Sequence, residues 1–294
     1  MPFVAGDALN NWRQWAISQA NAHSVDPEEV DWLLQGVSDL GRSALRSGRY
    51  PTSLDLRFSL AALTAKWQQR VQDRVPVQYL AGETPWRDLM LTVTPAVLVP
   101  RPETELIIDL VQQRIQASPH SHQLETGIWV DMGTGSGAIA IAIARALPQA
   151  TILAVDSSAD ALTVAQQNAA RYPTETPIQF LQGSWFEAIP IHQTLAGVVT
   201  NPPYIPTATV NTLDPEVQHE PRQALDGGKD GLTDIRTLAQ AALNHLEPGG
   251  LWLTELMLGQ ADAVATLLTE LGYGQVKQHT DLANIQRFVS AYRQ

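Results

Sequence analysis

The 294-residue chain lacks cysteine and long hydrophobic runs, and both absences limit what it can be. Without cysteine it can form neither disulfides nor thiolate metal sites, and we predict no bound metal. No stretch approaches the uncharged apolar length of a membrane span. The first residues, MPFVAGDALNNW, lack the basic and apolar regions of a signal peptide. These absences predict a cytoplasmic protein without membrane contact.

Positive charge is also scarce. The chain has 19 Lys+Arg against 30 Asp+Glu, and its formal net charge is -11. Proteins that grip nucleic acid through its phosphates need clustered lysine and arginine, whereas the arginines here are scattered. We therefore predict no direct nucleic-acid partner, while a local basic patch made by the fold stays open. With 44% hydrophobic and 17% charged residues, the composition is that of a globular protein of one or two domains.

Residues 1–75 are predicted to form a small helical domain. Asp7, Asp26 and Ser53 each precede apolar residues at helical spacing, so each is expected to begin a helix. Asp26-Pro27-Glu28-Glu29 is the clearest of these starts, because proline fits the first helical position and acids favour the positive end of the helix. The tryptophans are interpreted as core residues, with a docking surface for a protein partner as the alternative: Trp12, Trp15, Trp32 and Trp67.

Residues 76–98 are predicted to be a hairpin linker. Short strands are expected at 78–80 and 89–93, with Gly82-Glu83-Thr84-Pro85 as the turn. VPRPETE at 99–105 then places two prolines and three charges before a helix with an apolar face. The segment is consistent both with a proline-marked helix start and with a functional loop.

From residue 128 onward, strand and helix patterns alternate, which predicts a parallel sheet with helices on its faces. Residues 99–294 are therefore assigned to one α/β domain. Residues 206–231 fit no regular element, and an ordered loop of that length is usually functional. The predicted strands are 128–132, 151–155, 178–182, 197–200 and 251–254, with a final hairpin at 276–279 and 287–291. The predicted helices are 136–147, 159–171, 234–246 and 260–271.

A glycine-rich turn follows the first of these strands. The spacing in Gly133-Thr134-Gly135-Ser136-Gly137 is neither the dinucleotide G-x-G-x-x-G nor a P-loop. Asp131, before the first glycine, would repel a pyrophosphate and suits a cationic amino-acid group. Asp156 ends the second strand, where a carboxylate can accept both ribose hydroxyls. A ligand with a ribose and a positive charge but no phosphate indicates S-adenosylmethionine. Trp185, after the third strand, is interpreted as stacking on adenine or as packing over the sheet.

Asn201-Pro202-Pro203-Tyr204 follows the fourth strand. Prolines cannot continue a central strand, so the chain must turn at the edge where open α/β sheets bind ligands. Asn201 and the Pro202 carbonyl can offer two acceptors to a planar NH2 group, and Tyr204 can pack against its plane. A rigid turn with no further role is the alternative.

With these residues in place, the chain resembles the release factor glutamine methyltransferases over nearly its whole length. NPPY alone is shared with adenine-N6 and guanine-N2 methyltransferases, and its combination with the other motifs makes the likeness specific. Two departures are Met132, where leucine is usual, and Met257, where glycine is usual. The matching motifs are VPRPETE at 99–105, DMGTGSGAIA at 131–140, AVD at 154–156, GSWF at 183–186, TNPPYI at 200–205 and EVQHEPRQALDGGKDGL at 216–232.

The resemblance implies a Rossmann-like methyltransferase sheet joined by the hairpin to a helical domain that helps hold the protein substrate. The implied reaction is S-adenosylmethionine-dependent N5-methylation of the glutamine in the GGQ motif of class 1 peptide chain release factors, by an enzyme that we expect to be monomeric. Asn201, Pro202 and Tyr204 would be catalytic, and Pro203 would join them in binding the glutamine. The implied cofactor contacts are Gly133, Thr134, Gly135, Ser136, Gly137, Asp156, Trp185 and Asn201.

Three rival functions are weighed against this one. A nucleic-acid amino-group methyltransferase could share NPPY, but it would carry basic clusters. A nicotinamide oxidoreductase is disfavoured by the glycine spacing. A non-catalytic nucleotide-binding scaffold would transfer no methyl group. Because methylation of an amide needs positioning more than proton transfer, we expect no general base and a flat kcat profile through neutral pH, with His219 and Glu220 as loop residues.

Overall fold

In the computed structural model, which describes residues 2–294, the chain divides into two units. The first contains the residues up to Thr84 together with Asp214–His219, and the second contains Pro85–Leu213 and Glu220–Gln294. The helices are α1 (Gly6–Ala22), α2 (Glu28–Val37), α3 (Arg42–Ser47), α4 (Leu60–Asp73), α5 (Val77–Ala81), α6 (Leu106–Gln116), α7 (Ser121–Thr126), α8 (Ala138–Ala146), α9 (Ala159–Arg171), α10 (Thr207–Val210), α11 (Thr233–Ala242) and α12 (Ala261–Glu270). The strands are β1 (Phe3–Ala5), β2 (Ser53–Asp55), β3 (Glu83–Trp86), β4 (Leu89–Thr92), β5 (Ile128–Met132), β6 (Thr151–Asp156), β7 (Gln179–Gln182), β8 (Leu195–Thr200), β9 (Leu246–Glu255), β10 (Tyr273–Thr280) and β11 (Gln286–Arg293).

The first unit is a helical bundle around a tryptophan-rich core. Trp12 and Trp67 are buried, which confirms their interpretation as core residues, whereas Trp15 and Trp32 are only partly buried against that core. The indole of Trp67 donates to the Ala16 carbonyl, so its polar atom is satisfied inside the bundle. Asp26 accepts a hydrogen bond from the Glu28 amide at the start of α2, as predicted.

Two predictions for this unit are wrong. Ser53 does not begin a helix: residues Ser53–Asp55 form β2, which pairs antiparallel with β1. The helix begins at Leu60 instead, where Ser59 caps it by accepting from the Ala62 amide. The predicted strand at 78–80 is the helix α5, which buries Val77, Leu80 and Ala81 and ends at Gly82 with a positive φ. Its apolar residues recur at helical rather than alternating spacing.

The second unit is a seven-stranded sheet with helices on both faces. Its strand order is β10-β11-β9-β8-β5-β6-β7, with β9, β8, β5, β6 and β7 parallel and β11 and β10 antiparallel to their neighbours. Trp129 and Val130, adjacent on β5, belong to separate apolar clusters because neighbouring side chains of a strand point to opposite faces. This architecture confirms the predicted α/β fold.

The chain continues from β5 to β6 on one side and from β8 to β9 on the other, so the connections after these two strands leave in opposite directions and a crevice opens between them. The glycine loop follows β5 and Asn201 follows β8, which places both at this crevice. The long 206–231 segment contains α10 and two short 3-10 turns, Val217–His219 and Arg222–Ala224. No helix among residues 2–294 combines the length and apolar character needed to cross a bilayer.

Candidate active site

The glycine loop lies at the mouth of a cavity of about 240 Å³ in the second unit. Gly133, Gly135 and Gly137 all have positive φ, a conformation that other residues rarely adopt. An added Cβ at Gly135 would meet no atom within 4 Å, so that backbone faces open space in the cavity wall. At Gly137 a Cβ would instead lie 3.1 Å from Ala165, because this glycine packs α8 against α9.

Asp131, on β5, stabilises the glycine loop through hydrogen bonds. Its side chain is buried, and Oδ2 accepts hydrogen bonds from the Thr134 hydroxyl at 2.6 Å and the Ala140 amide at 3.1 Å. Among residues 2–294 no donor reaches Oδ1. Burial raises the pKa of Asp131 to about 7. Its partners are Thr134 of the loop and Ala140 in the first turn of α8, and Asp131 is not among the residues that line the cavity. That this carboxylate suits a cationic ligand stays a prediction.

Asp156 and Trp185 line the cavity beside the loop. The Asp156 carboxylate accepts from the Gly135 and Ser158 amides, both at 2.9 Å, which fixes it at the end of β6. Each of its oxygens keeps a lone pair for a further donor. The Trp185 indole donates to Asp234 at 3.2 Å, and its ring lies over Gly133. Trp185 has a φ of 49°, which is unusual for a bulky residue and holds the ring in this position.

Asn201 lines the same cavity from the end of β8, the strand next to β5. Its Nδ2 donates to Thr104 Oγ1 at 3.2 Å. Thr104 belongs to the VPRPETE segment, is buried, and also lines the cavity. Thr104 engages one of the two Nδ2 hydrogens, and among residues 2–294 no hydrogen bond reaches the Asn201 Oδ1, which can therefore accept from a ligand.

Glu255, the last residue of β9, lies behind Asn201 and Tyr204. The Tyr204 hydroxyl donates to its Oε1 at 3.4 Å. Glu255 is 2% exposed, and burial raises its pKa to about 7. Burial and the nearby Glu255 charge also raise the pKa of Tyr204, so Tyr204 stays a neutral donor.

The 206–231 segment holds the Asn201–Ile205 turn in place. Ile205 exchanges backbone hydrogen bonds with Leu225 and Gly227. The Gln260 side chain bridges the carbonyls of Tyr204 and Gly231 at 2.9 and 3.3 Å. A Cβ at Gly231 would lie 2.2 Å from the Tyr204 carbonyl oxygen, so only glycine permits this approach. The long loop is therefore part of the site.

Two of the motifs meet in an ion pair. Arg101 of VPRPETE donates to Glu220 at 2.6 Å, and the Glu220 side chain is 2% exposed. Burial raises the pKa of Glu220, and the Arg101 guanidinium opposes that shift. Trp86 donates to the Arg101 carbonyl at 2.9 Å. These contacts hold the segment that carries Thr104, and they give Arg101 and Glu220 a structural role.

The cavity brings together eight of the predicted site residues and leaves three outside its lining among the residues described. The three are Gly137, Pro202 and Tyr204, which lie directly behind the lining in the glycine loop and the Asn201 turn. The residues that line the cavity are Gly133, Thr134, Gly135, Ser136, Asp156, Trp185, Asn201 and Pro203.

Sequence reasoning missed Thr104, Glu255 and Asn168. Asn168 is fully buried, accepts from the Thr92 amide, and donates to the carbonyls of Thr92 and Ser136, which joins β4 to the glycine loop. The sequence does carry a signal for such residues. A polar side chain within an apolar helix face or strand needs a buried hydrogen-bond partner, which makes it a candidate for a role in a site.

Residues 113–229 match the methyltransferase small domain family. The fold also matches the T. thermophilus 16S rRNA N2 G1207 methyltransferase, solved with AdoMet and guanosine, with a TM-score of 0.51 and 19% identity over 72% of this chain and 50% of that chain. The fold and the site thus define a Rossmann-like methyltransferase.

Proteins of similar sequence identify the family within this class of methyltransferases. The release factor glutamine methyltransferase of a Synechocystis species is 45% identical over 98% of this chain and 97% of its own. That of Gloeobacter violaceus is 43% identical over 96% of each chain. The chain belongs to the release factor glutamine methyltransferase family.

Proposed function

We propose that this protein methylates the N5 nitrogen of a glutamine side chain in peptide chain release factors, at the GGQ motif of class 1 factors, with S-adenosylmethionine as methyl donor. The observation that carries the proposal is the orientation of Asn201. Its Nδ2 is engaged by Thr104, so its Oδ1 accepts from a ligand in the cavity that the glycine loop also lines. A primary amide supplies the matching donors.

The residues of the cavity fit the cofactor. Gly135 leaves open space at its Cβ position, where a ligand can approach the backbone. Asp156 would accept the ribose hydroxyls, and Trp185 would cover the adenine face. The remaining contacts are assigned to Gly133, Thr134, Ser136, Gly137 and Asn201. When bound, the sulfonium group supplies an electrophilic methyl carbon.

The protein's part in the reaction is to place and polarise the amide. The lone pair of an amide nitrogen is delocalised into the carbonyl, which makes it a weak nucleophile. Asn201 Oδ1 and the Pro202 carbonyl each accept one N–H of the glutamine, so fixed acceptors face the group that gains positive charge. Pro203 keeps the turn rigid, and Tyr204 packs against the amide plane. The nitrogen then releases one proton to solvent, and no protein base is needed.

The substrate assignment follows the family. The acidic balance of the chain, -11, favours a protein substrate over nucleic acid. We assign the helical unit a role in holding the release factor. A substrate that works on the ribosome also implies a cytoplasmic enzyme, and we expect a monomer.

The test is to incubate the protein with methyl-labelled S-adenosylmethionine and a purified class 1 release factor, then to locate the label by peptide mass. We expect a single methyl group on the GGQ glutamine. A factor with glutamate in place of that glutamine is the matched control and should stay unlabelled. Label on ribosomal RNA or DNA instead would support the nucleic-acid alternative.

A further inference from the structure

Gln260, directly before α12, is a buried residue whose side-chain amide has partners at both ends. Its Oε1 accepts from the Met257 main-chain amide at 3.0 Å. Its Nε2 donates to the carbonyls of Tyr204 and Gly231 at 2.9 and 3.3 Å. Because only an oxygen can accept from a main-chain amide and only an NH2 group can donate to two carbonyls, these partners fix the direction of the Gln260 amide. No step of the proposed reaction yet involves this residue.

The Tyr204 and Gly231 carbonyl oxygens converge on the Gln260 NH2 group. Two carbonyl oxygens repel each other at short range, so their convergence depends on the donor between them. A Cβ at Gly231, which has a φ of 75°, would overlap the Tyr204 carbonyl oxygen. A Cβ at Gly227 would lie 2.6 Å from the Pro203 carbonyl oxygen. The backbone of Pro203 and Tyr204 is therefore packed directly against these two glycines, and Gln260 joins it to them.

The two prolines transmit this constraint toward Asn201. Their rings fix φ at about −65°, and the residue before a proline is held in an extended conformation. Few rotations therefore stay free between the Tyr204 carbonyl and the Pro202 carbonyl. A displacement of the first carbonyl moves the second, together with the Tyr204 ring.

We propose that Gln260 is a positioning residue of the reaction: by holding the Tyr204 carbonyl it sets the direction of the Pro202 carbonyl and the place of the Tyr204 ring. The inference rests on the proposed function, in which that carbonyl and that ring bind the substrate amide. Among the residues described, Gln260 is not part of the cavity lining, so its effect on the reaction passes through the turn. Cofactor binding should therefore not depend on it.

Gln260→Met tests the inference because it removes the amide with little change in volume. The two carbonyls lose their common donor and move apart. Since a misplacement of about 1 Å costs about a hundredfold in rate, kcat should fall about tenfold to hundredfold. The KM for a class 1 release factor and the Kd for S-adenosylmethionine should each change by less than about threefold, as for an interaction that acts in the transition state. Steady-state kinetics and calorimetric titration of the full-length protein measure these quantities.

The matched control for this variant is Gln278→Met. The Gln278 amide is exposed and donates to Asp262 at 2.8 Å, and the residue is not part of the cavity lining. The same substitution there should leave kcat and both binding constants unchanged. A role of Gln260 in stability alone would lower the Tm of Gln260→Met and leave the kcat of the folded enzyme at the wild-type value.

Gly231→Ala displaces the same carbonyl from its other side. Its Cβ would overlap the Tyr204 oxygen, so kcat should fall about tenfold or more. Gly272→Ala is the matched control, because Gly272 also has a positive φ, 88°, and a Cβ there meets no atom within 4 Å. It should leave kcat unchanged. Since Gln260→Met and Gly231→Ala act on one carbonyl, their losses of kcat should not multiply in the double variant.

A Gln260→Met enzyme with wild-type kcat would overturn the inference, and so would losses that multiply in the double variant. If Gln260→Met does not fold, the glycine pair decides, and an equal kcat for Gly231→Ala and Gly272→Ala would overturn it. These failures differ from that of the proposed function, in which the wild-type enzyme itself transfers no methyl group to any release factor and the inference is lost with it.

Discussion

Two strands of the sheet carry a buried carboxylate near their carboxyl end: Asp131 is the last but one residue of β5, and Glu255 is the last residue of β9. Asp131 lies behind the glycine loop, and Glu255 lies behind Asn201 and Tyr204. Both carboxylates are buried, both have one oxygen that no donor reaches among residues 2–294, and burial raises the pKa of each to about 7. Their partners differ. Asp131 contacts groups three and nine residues away, whereas the Tyr204 contact of Glu255 spans 51 residues.

The contacts of Asp131 are therefore local in the sequence, whereas the contact between Glu255 and Tyr204 joins segments that are far apart in the sequence. The glycine loop is held by Asp131 and by the neighbouring β6 and α9, through Val155, Asp156 and Asn168. The Asn201 side is held by side chains from VPRPETE and β9, by the Gln260 side chain, and by backbone hydrogen bonds from the 206–231 segment. We therefore expect changes near the loop to act on cofactor affinity and changes near Asn201 to act on turnover.

The largest effect is expected for Asn201→Ala. Removing an acceptor aimed at developing charge costs about 10²–10³ in kcat. The affinity for S-adenosylmethionine should fall far less, with only a small rise in its Kd, because the glycine loop and Asp156 remain. Steady-state kinetics and calorimetric titration measure the two quantities. The control is Asn244→Ala at an exposed position, which should leave kcat and the Kd unchanged. Near-normal turnover in Asn201→Ala would contradict the catalytic role of Asn201.

Arg101→Met should destabilise the fold. It leaves Glu220 buried without its cation, which costs about 2 kcal/mol in the free energy of unfolding, a value reduced because Arg101 is one-third exposed. Glu220 would then take up a proton more readily, so the loss should shrink as the pH falls. Urea unfolding at pH 8 and pH 5.5 measures this. The double change with Glu220→Gln should recover most of the loss, and no recovery would contradict the ion-pair account.

Gly135→Val should act on the cofactor side. A β-branched residue at a φ of 54° costs about 1–2 kcal/mol, although no atom blocks the side chain. We expect the Kd for S-adenosylmethionine to rise about tenfold with a smaller change in kcat at saturation. Gly272→Val is the matched control, with φ 88° and open space away from the cavity. An equal rise in Kd for both variants would show that strain alone is responsible.

The smallest effect is expected from Asp131→Asn, and it depends on pH. The folded pKa of Asp131, about 7, lies above the ordinary 3.8. The folded state therefore holds an extra proton between these values, and the stability this gives is lost as the pH rises through 7. Asparagine cannot ionise, so the Tm of the variant relative to wild type should improve by a few degrees between pH 5 and pH 8. The control is Asp160→Asn at an exposed position, where the Tm difference from wild type should not vary with pH. An Asp131→Asn difference that is equally independent of pH would contradict the conclusion that Asp131 ionises while it is buried.

The fold was predictable where local patterns are strong. The strand at 128–132 and the helix at 159–171 have the predicted bounds, because a continuous apolar run and a capped helical pattern each specify their element. The errors in element type fall mainly in the first unit, while in the second unit the helix predicted at 234–246 ends at Ala242 and β9 begins at Leu246. In the first unit, β2 at Ser53–Asp55 owes its conformation to pairing with Phe3–Ala5, and a partner 50 residues away leaves no local signal.

Local sequence specifies the glycine loop and the turn at Asn201, because glycine and proline restrict the backbone within a few residues, and it specifies Asp156 as the residue that ends the apolar run of β6. The direction of the Asn201 amide is set by contacts between distant segments of the chain. Its Nδ2 donates to Thr104, which lies 97 residues away in the sequence and approaches Asn201 through the VPRPETE segment. The direction of a hydrogen bond is a property of the assembled partners, since a threonine or an asparagine can donate or accept until a third group settles it.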